Sequence, residues 1–390
     1  MKKESISVQH SLESHQTDWQ MIGAILVVSL IGLCALWSGS IGFAIRNGGG
    51  PYSIISKQVI LYVISLACMG IMAVIPIKLL RAVLPIAVVV GIVGLALPVV
   101  TPLGVTINNA RRWIRIGSFT LQPSELWKPV MVLYLASFLE KRKERVAESG
   151  VATIPAILLV AASVVLIYLQ QDFSTSILVL AIALAMLFLA GTPIVFIGSL
   201  SLFSVLYGAL MIFSSQYRVQ RLVGFLMPDH HVHTVNYQMY SALRAIRAGG
   251  LWGKGIGLGT LKISSIPEVQ SDFIFAAFVE EVGFIGVVVV MALWAFILVR
   301  AGKRLSRADY FSKLAGFGLI ALLSLQILLN LSVVTGVMPT TGLALPFFSS
   351  GGSAALMSAI SCGILINLSR GAELAINPGM AFAMKGVAHD

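Results

Sequence analysis

Long apolar segments, separated by short polar, glycine-rich or charged stretches, recur along most of the chain. An α-helix of about twenty apolar residues crosses a hydrocarbon layer of about 30 Å. The pattern shows no dyad alternation of the kind found in membrane barrels, and lipid offers no partner to backbone groups, so helices are expected. It predicts about ten spans: Met21–Ala44, Val59–Ile77, Ala82–Val100, Leu126–Leu139, Ile154–Leu169, Ser174–Ala190, Ile194–Phe213, Phe273–Val299, Leu314–Val334 and Leu343–Leu368.

Composition supports a membrane protein, because 57% of the 390 residues are hydrophobic and only 11% are charged. Mean hydropathy is +0.93, far above that of a soluble domain. The first residues are polar and include Lys2 and Lys3, and no A-x-A-like cleavage site follows the first apolar run. We therefore expect an uncleaved first helix rather than a signal peptide.

Lysine and arginine placement predicts the orientation, because these residues favour the cytoplasmic side in short loops. With the N-terminus inside, the predicted cytoplasmic segments hold 15 of the 27 lysines and arginines. Both termini are then cytoplasmic. Arg111, Arg112 and Arg115 oppose this bias, since they crowd one short exported loop. Two explanations stay open: attraction to lipid headgroups, or binding of an anionic substrate.

Three further features of the sequence give little information about function. Cys34, Cys68 and Cys362 fall inside predicted spans and read as packing residues. A histidine cluster, "PDHHVHTV", is compatible with a metal site but more typical of a solvated loop. The stretch "GGLWGKGIGLG", at 249–259, lacks the strand and helix of a nucleotide-binding unit, so its glycines are expected to permit tight turns or a close backbone approach.

Four carboxylates gather around the start of the eighth predicted span, in "SIPEVQSDFIFAAFVEEVGFIG". Asp272 lies at the outer end of this span, and Glu268 lies four residues earlier. Glu280 and Glu281 lie about two helical turns deeper and on other faces than Asp272. Acids at that depth need partners, so we expect at least one to pair with a polar or basic group from another span.

Five motifs occur in order: "RRWIRIGSFTLQPSELWK", "QQDFSTSIL", "YQMYSALRAIRAGGLWGKGIGLG", "IPEVQSDFIFAAFVEEVGFIG" and "MPTTGLALPFFSSGGS". Together they resemble the SEDS family of polytopic proteins, whose members include FtsW, RodA and SpoVE. The resemblance covers almost all of the chain after the polar N-terminus. It implies an all-α fold of about ten transmembrane helices, with a large extracytoplasmic loop at 216–271 between the seventh and eighth. The implied domains are a cytoplasmic tail at 1–20, one transmembrane domain at 21–370 and a second cytoplasmic tail at 371–390.

The resemblance implies a peptidoglycan glycosyltransferase that polymerises lipid II at the outer face of the cytoplasmic (inner) membrane. It also implies a class B penicillin-binding transpeptidase as partner, other divisome or elongasome membrane proteins, and no nucleic acid. The family's catalytic aspartate falls on Asp272, a general base for the attacking sugar hydroxyl. Nine further residues are expected to bind substrate, and the basic ones among them would stabilise the departing pyrophosphate. They are Arg111, Arg112, Arg115, Glu125, Lys128, Asp172, Arg218, Lys254 and Glu268. A divalent cation, Mg²⁺ or Mn²⁺, is suggested by the family, although the sequence has no diagnostic ligand spacing.

This chain departs from the usual family pattern at several positions. Gln270 and Ser271 replace His and Thr, Gln171 replaces Pro, and Ser350 replaces Tyr. No carboxylate is lost, so the departures concern the shape of the site. Two other functions stay open: a lipid II flippase, although no inverted repeat is evident, and a noncatalytic scaffold. The motif "MPTTGLALPFFSSGGS" and the polar N-terminal tail favour a division protein like FtsW over an elongation protein like RodA.

Overall fold

The computed structural model describes residues 18–46, 53–107, 110–117, 119–227, 237–260 and 272–371. Ten long helices dominate this part of the chain: α1 Trp19–Arg46, α2 Ser53–Val74, α3 Ile77–Val100, α4 Pro123–Glu140, α6 Ile154–Leu169, α7 Phe173–Leu189, α8 Ile194–Phe213, α11 Ile274–Leu305, α12 Tyr310–Val334 and α13 Gly352–Gly371. Three shorter helices are α5 Lys143–Glu148, α9 Gln216–Leu226 and α10 Tyr237–Gly249.

Each predicted span overlaps one of the long helices, which confirms the polytopic all-α fold. In the described part of the chain, eight helices are long and apolar enough to cross a membrane, and α7 is a shorter apolar helix. The remaining one, α4, carries charged residues at both ends, including Glu125 and Glu140. Helix α8 has large apolar side chains on its outer surface, with Val195 81% and Phe203 69% exposed. Such a surface suits contact with lipid.

The last predicted span was wrong at its start, because its helix begins at Gly352 and not at Leu343. Residues 335–351 connect α12 to α13 through turns and extended backbone. Its second half, residues 343–349, is nevertheless mostly apolar and buried, with Phe347 and Phe348 at most 2% exposed. The backbone there packs closely on α1, since a β-carbon added to Gly32 would lie 2.2 Å from the carbonyl oxygen of Phe347. Protein, rather than lipid, therefore surrounds this part of the non-helical connection.

A small antiparallel sheet, which the sequence analysis did not predict, lies between α3 and α4. Its strands are β1 Gly104–Ile107, β2 Ala110–Ile116 and β3 Phe119–Leu121, paired in the order β1-β2-β3. Successive side chains of a strand point to opposite faces. A register shift at Val105/Thr106 leaves Arg112 as an extra residue in β2. Because such a bulge interrupts the alternation, Arg111 and Arg115 lie on opposite faces of the sheet.

Helix α11 is interrupted at Gly283, whose φ of 68° and ψ of −171° are not helical. The glycine-rich stretch after α10 occupies the gap. The N–H groups of Lys254 and Gly255 donate to the carbonyls of Glu280 and Glu281, each at 3.0 Å. A β-carbon on Gly283 would lie 2.3 Å from the backbone nitrogen of Gly253. The glycines thus permit a close backbone approach to α11, and backbone groups freed by the break find partners.

Candidate functional site

The predicted site residues that the structure describes lie at one end of the bundle, in the connections between long helices or near the ends of helices. Successive long helices alternate in direction, so the connections α3–α4, α6–α7, α8–α11 and α12–α13 share a face. These connections carry the sheet, the residues around Asp172, the helices α9 and α10, and the non-helical stretch 335–351. The orientation predicted from lysine and arginine makes this face the outer one.

Asp172 lies at the centre of a first group of polar side chains. It caps α7, and its Oδ1 accepts a 3.3 Å hydrogen bond from the N–H of Thr175. Its Oδ2 accepts a 2.9 Å bond from Nε2 of Gln122, the residue before α4. Arg112 Nη1 lies 3.5 Å from Oδ1. Asp172 is only 3% exposed, so these contacts stabilise a largely desolvated carboxylate.

Arg218, on α9, lies beside the start of α7. Its guanidinium is 5.3 Å from the ring centroid of Phe173 and 5.0 Å from that of Tyr168. Its Nη2 also donates to the hydroxyl of Tyr168 at 3.0 Å. Among the described residues, Arg218 Nη1 and Arg112 Nε are buried without a hydrogen-bond partner. Two guanidinium groups near Asp172 thus retain donors for an anion.

Glu125 and Lys128 form an ion pair on the first turns of α4. Lys128 Nζ lies 2.7 Å from Glu125 Oε1, and the side chains are only 2% and 7% exposed. Spacing of three residues places them on one face of the helix. The neighbouring Trp127 is fully buried against α3. The pair is therefore part of the interior beneath the Asp172 group, where each charge compensates the other.

Asp272 lies two residues before the first residue of α11, in agreement with the predicted outer end of this span. Asn330, on α12, donates from Nδ2 to the carbonyl oxygen of Asp272 at 3.3 Å and to that of Leu343 at 2.8 Å. Gly342 lies against the carboxylate, since a β-carbon there would be 3.5 Å from Oδ2 of Asp272. The backbone of Asp272 is thus fixed while its side chain is partly exposed.

Glu280 and Glu281 have partners, as predicted for acids at this depth. Glu280 is fully buried, and its Oε1 lies 2.7 Å from Lys254 Nζ. Ser38 of α1 donates a 2.6 Å hydrogen bond to Glu281 Oε1, so one acid pairs with another span and the other with the glycine-rich stretch. Lys254, predicted to bind substrate, contacts Glu280 in the structure.

The other predicted residues are not joined to these groups by a contact in the described part of the chain. Arg111 donates to the carbonyls of Thr101 and Gly104, and Arg115 is exposed. Glu268 and the histidine cluster lie outside the described residues, as do residues 1–17 and 372–390. Within the described residues, no three His, Cys, Asp or Glu side chains gather as metal ligands. No divalent-cation site is therefore assigned to the described carboxylates.

Several residues that hold the site together were not predicted from the sequence. Asn330 stands inside the apolar run "ILLNLSVV", and a buried amide at such a position is a recognisable signal of a structural or functional role. Ser353, at the start of α13, accepts a 3.0 Å bond from the N–H of Gln122. Arg221 repeats the Arg218 position three residues later on an amphipathic segment. The contacts of Ser353 join elements 231 residues apart, which no local pattern reveals.

The fold and these buried charges define a polytopic membrane protein with a polar site at one end of its helix bundle. A profile of the FtsW/RodA/SpoVE family, described as "Cell cycle protein", matches residues 18–374. The chain is 32% identical over 364 residues to a probable peptidoglycan glycosyltransferase FtsW of Trichlorobacter lovleyi, covering 92% of this chain and 95% of the relative. This protein therefore belongs to the FtsW/RodA/SpoVE family, and the predicted resemblance is confirmed.

Solved structures share the fold. The rod shape determining protein RodA of Thermus thermophilus matches with a TM-score of 0.68 and 25% identity, covering 91% of this chain and 97% of that one. A chain of a peptidoglycan synthase complex, described as coordinating polymerization and crosslinking, matches with a TM-score of 0.73 and 24% identity. That match covers 91% of this chain and 98% of the other.

Proposed function

We propose that this protein is a peptidoglycan glycosyltransferase that polymerises lipid II, with Asp272 as the general base. The observation that carries the proposal is the placement of Asp272. Its carboxylate is partly exposed at the start of α11, while Asn330 fixes its backbone through two hydrogen bonds to carbonyls. Family membership supports the reaction class, since the relative from Trichlorobacter lovleyi is named a probable peptidoglycan glycosyltransferase.

The reaction joins two lipid-linked disaccharides. The hydroxyl of one sugar attacks the anomeric carbon of another, a C–O bond forms, and the bond to undecaprenyl pyrophosphate breaks. A carboxylate that accepts the hydroxyl proton contributes about 10²–10⁴-fold in rate. The leaving pyrophosphate gains negative charge, which guanidinium groups stabilise. Arg112 and Arg218 suit this role because each keeps a buried donor without a partner among the described residues.

The remaining predicted residues receive supporting roles in this proposal. The Glu125–Lys128 pair lies in the interior under the Asp172 group, and Asp172 orients Gln122 and Arg112. Arg111 and Arg115 are both exposed on the sheet, where they attract anionic lipid headgroups or lipid II itself. Lys254 holds the glycine-rich stretch to α11 through Glu280, and Glu268 remains a predicted substrate contact. Mg²⁺ or Mn²⁺ remains an expectation from the family.

The same proposal places the chain in the cytoplasmic membrane with both termini inside, working beside a class B penicillin-binding transpeptidase in division. Several relatives named FtsW support a division role. The matched chain from a peptidoglycan synthase complex supports an assembly with a crosslinking enzyme. Depletion tests the role: filamentous cells are expected for a division enzyme, whereas rounded cells would assign the protein to elongation.

Polymerisation of labelled lipid II by the purified protein in detergent, with its transpeptidase partner, tests the activity directly. No membrane separates two compartments there, so transport alone gives no product. Glycan strands are expected from the unchanged protein and none from Asp272→Asn, which keeps the backbone carbonyl that Asn330 binds. Asp309→Asn, at the other end of the bundle, is the control. Polymerisation by Asp272→Asn would overturn the base assignment. An inactive but folded unchanged protein would favour a flippase or scaffold.

A further inference from the structure

Arg221 lies between the two parts of the site that carry Asp172 and Asp272. It belongs to α9, and its Nη1 donates a 2.9 Å hydrogen bond to the carbonyl oxygen of Thr340. Its Nη2 donates to the hydroxyl of Tyr217, four residues earlier on the same helix. The phenol holds one end of the guanidinium, so the other end is directed at the backbone of the stretch after α12.

Thr340 begins the short stretch that meets Asp272. Gly342 follows two residues later, with a φ of 76°, and lies against the Asp272 carboxylate. The next carbonyl, that of Leu343, is bound by Asn330 from within the bundle. Residues 340–343 form neither helix nor strand. Their position therefore depends on hydrogen bonds from other elements.

We infer that Arg221 is a positioning residue for Asp272. Its bond to Thr340 fixes one end of residues 340–343 from α9, while Asn330 fixes the other end from α12. Loss of the Arg221 bond frees the backbone of Gly342 to move away from the carboxylate. The inference rests on the proposed function for the rate effect, but the contact itself is independent of that function.

The same helix also reaches the other part of the site. Arg218 lies three residues before Arg221, and its guanidinium stands over the ring of Phe173, next to Asp172. Residues three apart are neighbours on a helix surface. One turn of α9 thus touches both aspartate-bearing regions. Arg218 has a spare donor for substrate, whereas Nη1 and Nη2 of Arg221 are each bonded to protein.

Two measurements on the full-length protein test this inference. Hydrogen–deuterium exchange in detergent should be faster for a peptide covering 340–343 in Arg221→Gln than in the unchanged protein, and equal for peptides of α4. In lipid II polymerisation, kcat should fall by about 10- to 100-fold, the range that a small misplacement produces. KM should stay within about twofold, because Arg221 is not expected to contact the substrate and its loss should not weaken substrate binding in the ground state.

Two control variants show whether the effects come from the bond between Arg221 and Thr340. Arg221→Lys keeps a donor for Thr340 and should recover part of both effects, while Arg247→Gln, an exposed change on α10, should alter neither. Unchanged exchange at 340–343 in Arg221→Gln would overturn the inference, as would a raised KM with kcat retained. If the unchanged protein does not polymerise lipid II, the proposed function fails, and the exchange result alone decides the positioning contact.

Discussion

Lys254 and Glu280 form a partly buried ion pair beside the break in α11, with Nζ 2.7 Å from Oε1. The two partners differ in environment, since the Glu280 side chain is 0% exposed and that of Lys254 is 32% exposed. Removal of Lys254 therefore leaves a negative charge that is fully buried, whereas removal of Glu280 leaves a positive charge that is partly exposed. A charge that stays buried without compensation is more costly than one that can turn toward water.

We expect Lys254→Met to destabilise the protein by about 3–5 kcal/mol, since the buried carboxylate of Glu280 keeps the N–H of Thr260 at 3.0 Å but loses the positive charge that compensates it. Glu280→Gln should cost less, because the remaining ammonium is partly exposed. The double variant should recover part of the Lys254→Met loss. Thermal unfolding in detergent measures all three. Equal losses in the two single variants, with simple additivity in the double, would show that the pair is not coupled.

Glu281→Gln should be tolerated, with accumulation and activity close to those of the unchanged protein. Ser38 donates a hydrogen bond from its hydroxyl to Glu281, and a glutamine oxygen accepts this bond equally well. Ser38→Val, which removes the donor, should lower the unfolding temperature instead. A severe loss in Glu281→Gln alone would mean that its negative charge, rather than its shape, is required.

Asp18 should make stability depend on pH at the end of the bundle opposite the candidate site. Burial raises the pKa of its carboxyl, but bonds from Arg300 and the N–H of Met21, with the charge of Arg304, lower the pKa overall. Its Oδ2 lies 2.6 Å from Arg300 Nε and 3.0 Å from Arg304 Nε. A lowered folded pKa gives stability that is present above the unfolded value of about 3.9 and is lost as pH falls through the folded pKa.

Asp18→Asn should therefore unfold at a lower temperature than the unchanged protein, by an amount equivalent to about 1–3 kcal/mol at neutral pH. The difference should stay constant from about pH 7 to pH 5 and shrink below about pH 4. Glu144→Gln, at an exposed position, is the control and should have no effect. A difference that persisted unchanged at about pH 3 would exclude the ionised carboxylate as its cause.

Gln171 should tolerate glycine but not proline, the residue usual in the family. Its φ is 63°, a conformation that glycine adopts freely and that the proline ring forbids. Its N–H also donates to the carbonyl of Tyr168 at 2.8 Å, and proline has no N–H. Gln171→Gly should be neutral or stabilising, by up to about 1 kcal/mol. Gln171→Pro should lower the unfolding temperature and disturb Asp172; full stability in this variant would contradict the left-handed backbone.

The sequence predicted the features that depend on the local pattern. Asp272 stands at the boundary of an apolar run, so its place at the N-terminal end of α11 could be predicted to within a residue or two. Leu343 was assigned to a span for the same reason, wrongly, because hydropathy does not distinguish apolar residues buried by protein from those facing lipid. The sheet around Arg112 was missed because its strands are far shorter than a membrane span.

Contacts between distant parts of the chain could not be predicted. Glu281 was expected to need a partner, but Ser38 lies 243 residues away in the sequence. The bond from Arg221 to Thr340 spans 119 residues, and both ends look like ordinary loop or surface positions. The break at Gly283 was equally hidden, since a glycine within an apolar run is compatible with an uninterrupted helix.

During biosynthesis, helix α1 is made long before the residues of α11 that form hydrogen bonds with it. Ser38 bonds to Glu281, and Asp18 bonds to Arg300, which lies 282 residues later. At about 5–20 residues per second, these groups leave the ribosome roughly 15–50 s after α1. A nascent chain arrested before Glu281 should therefore expose α1 to proteases or chaperones, and one arrested after α11 should not. Helix α1 is therefore synthesised early but forms these two contacts only after α11 has been synthesised.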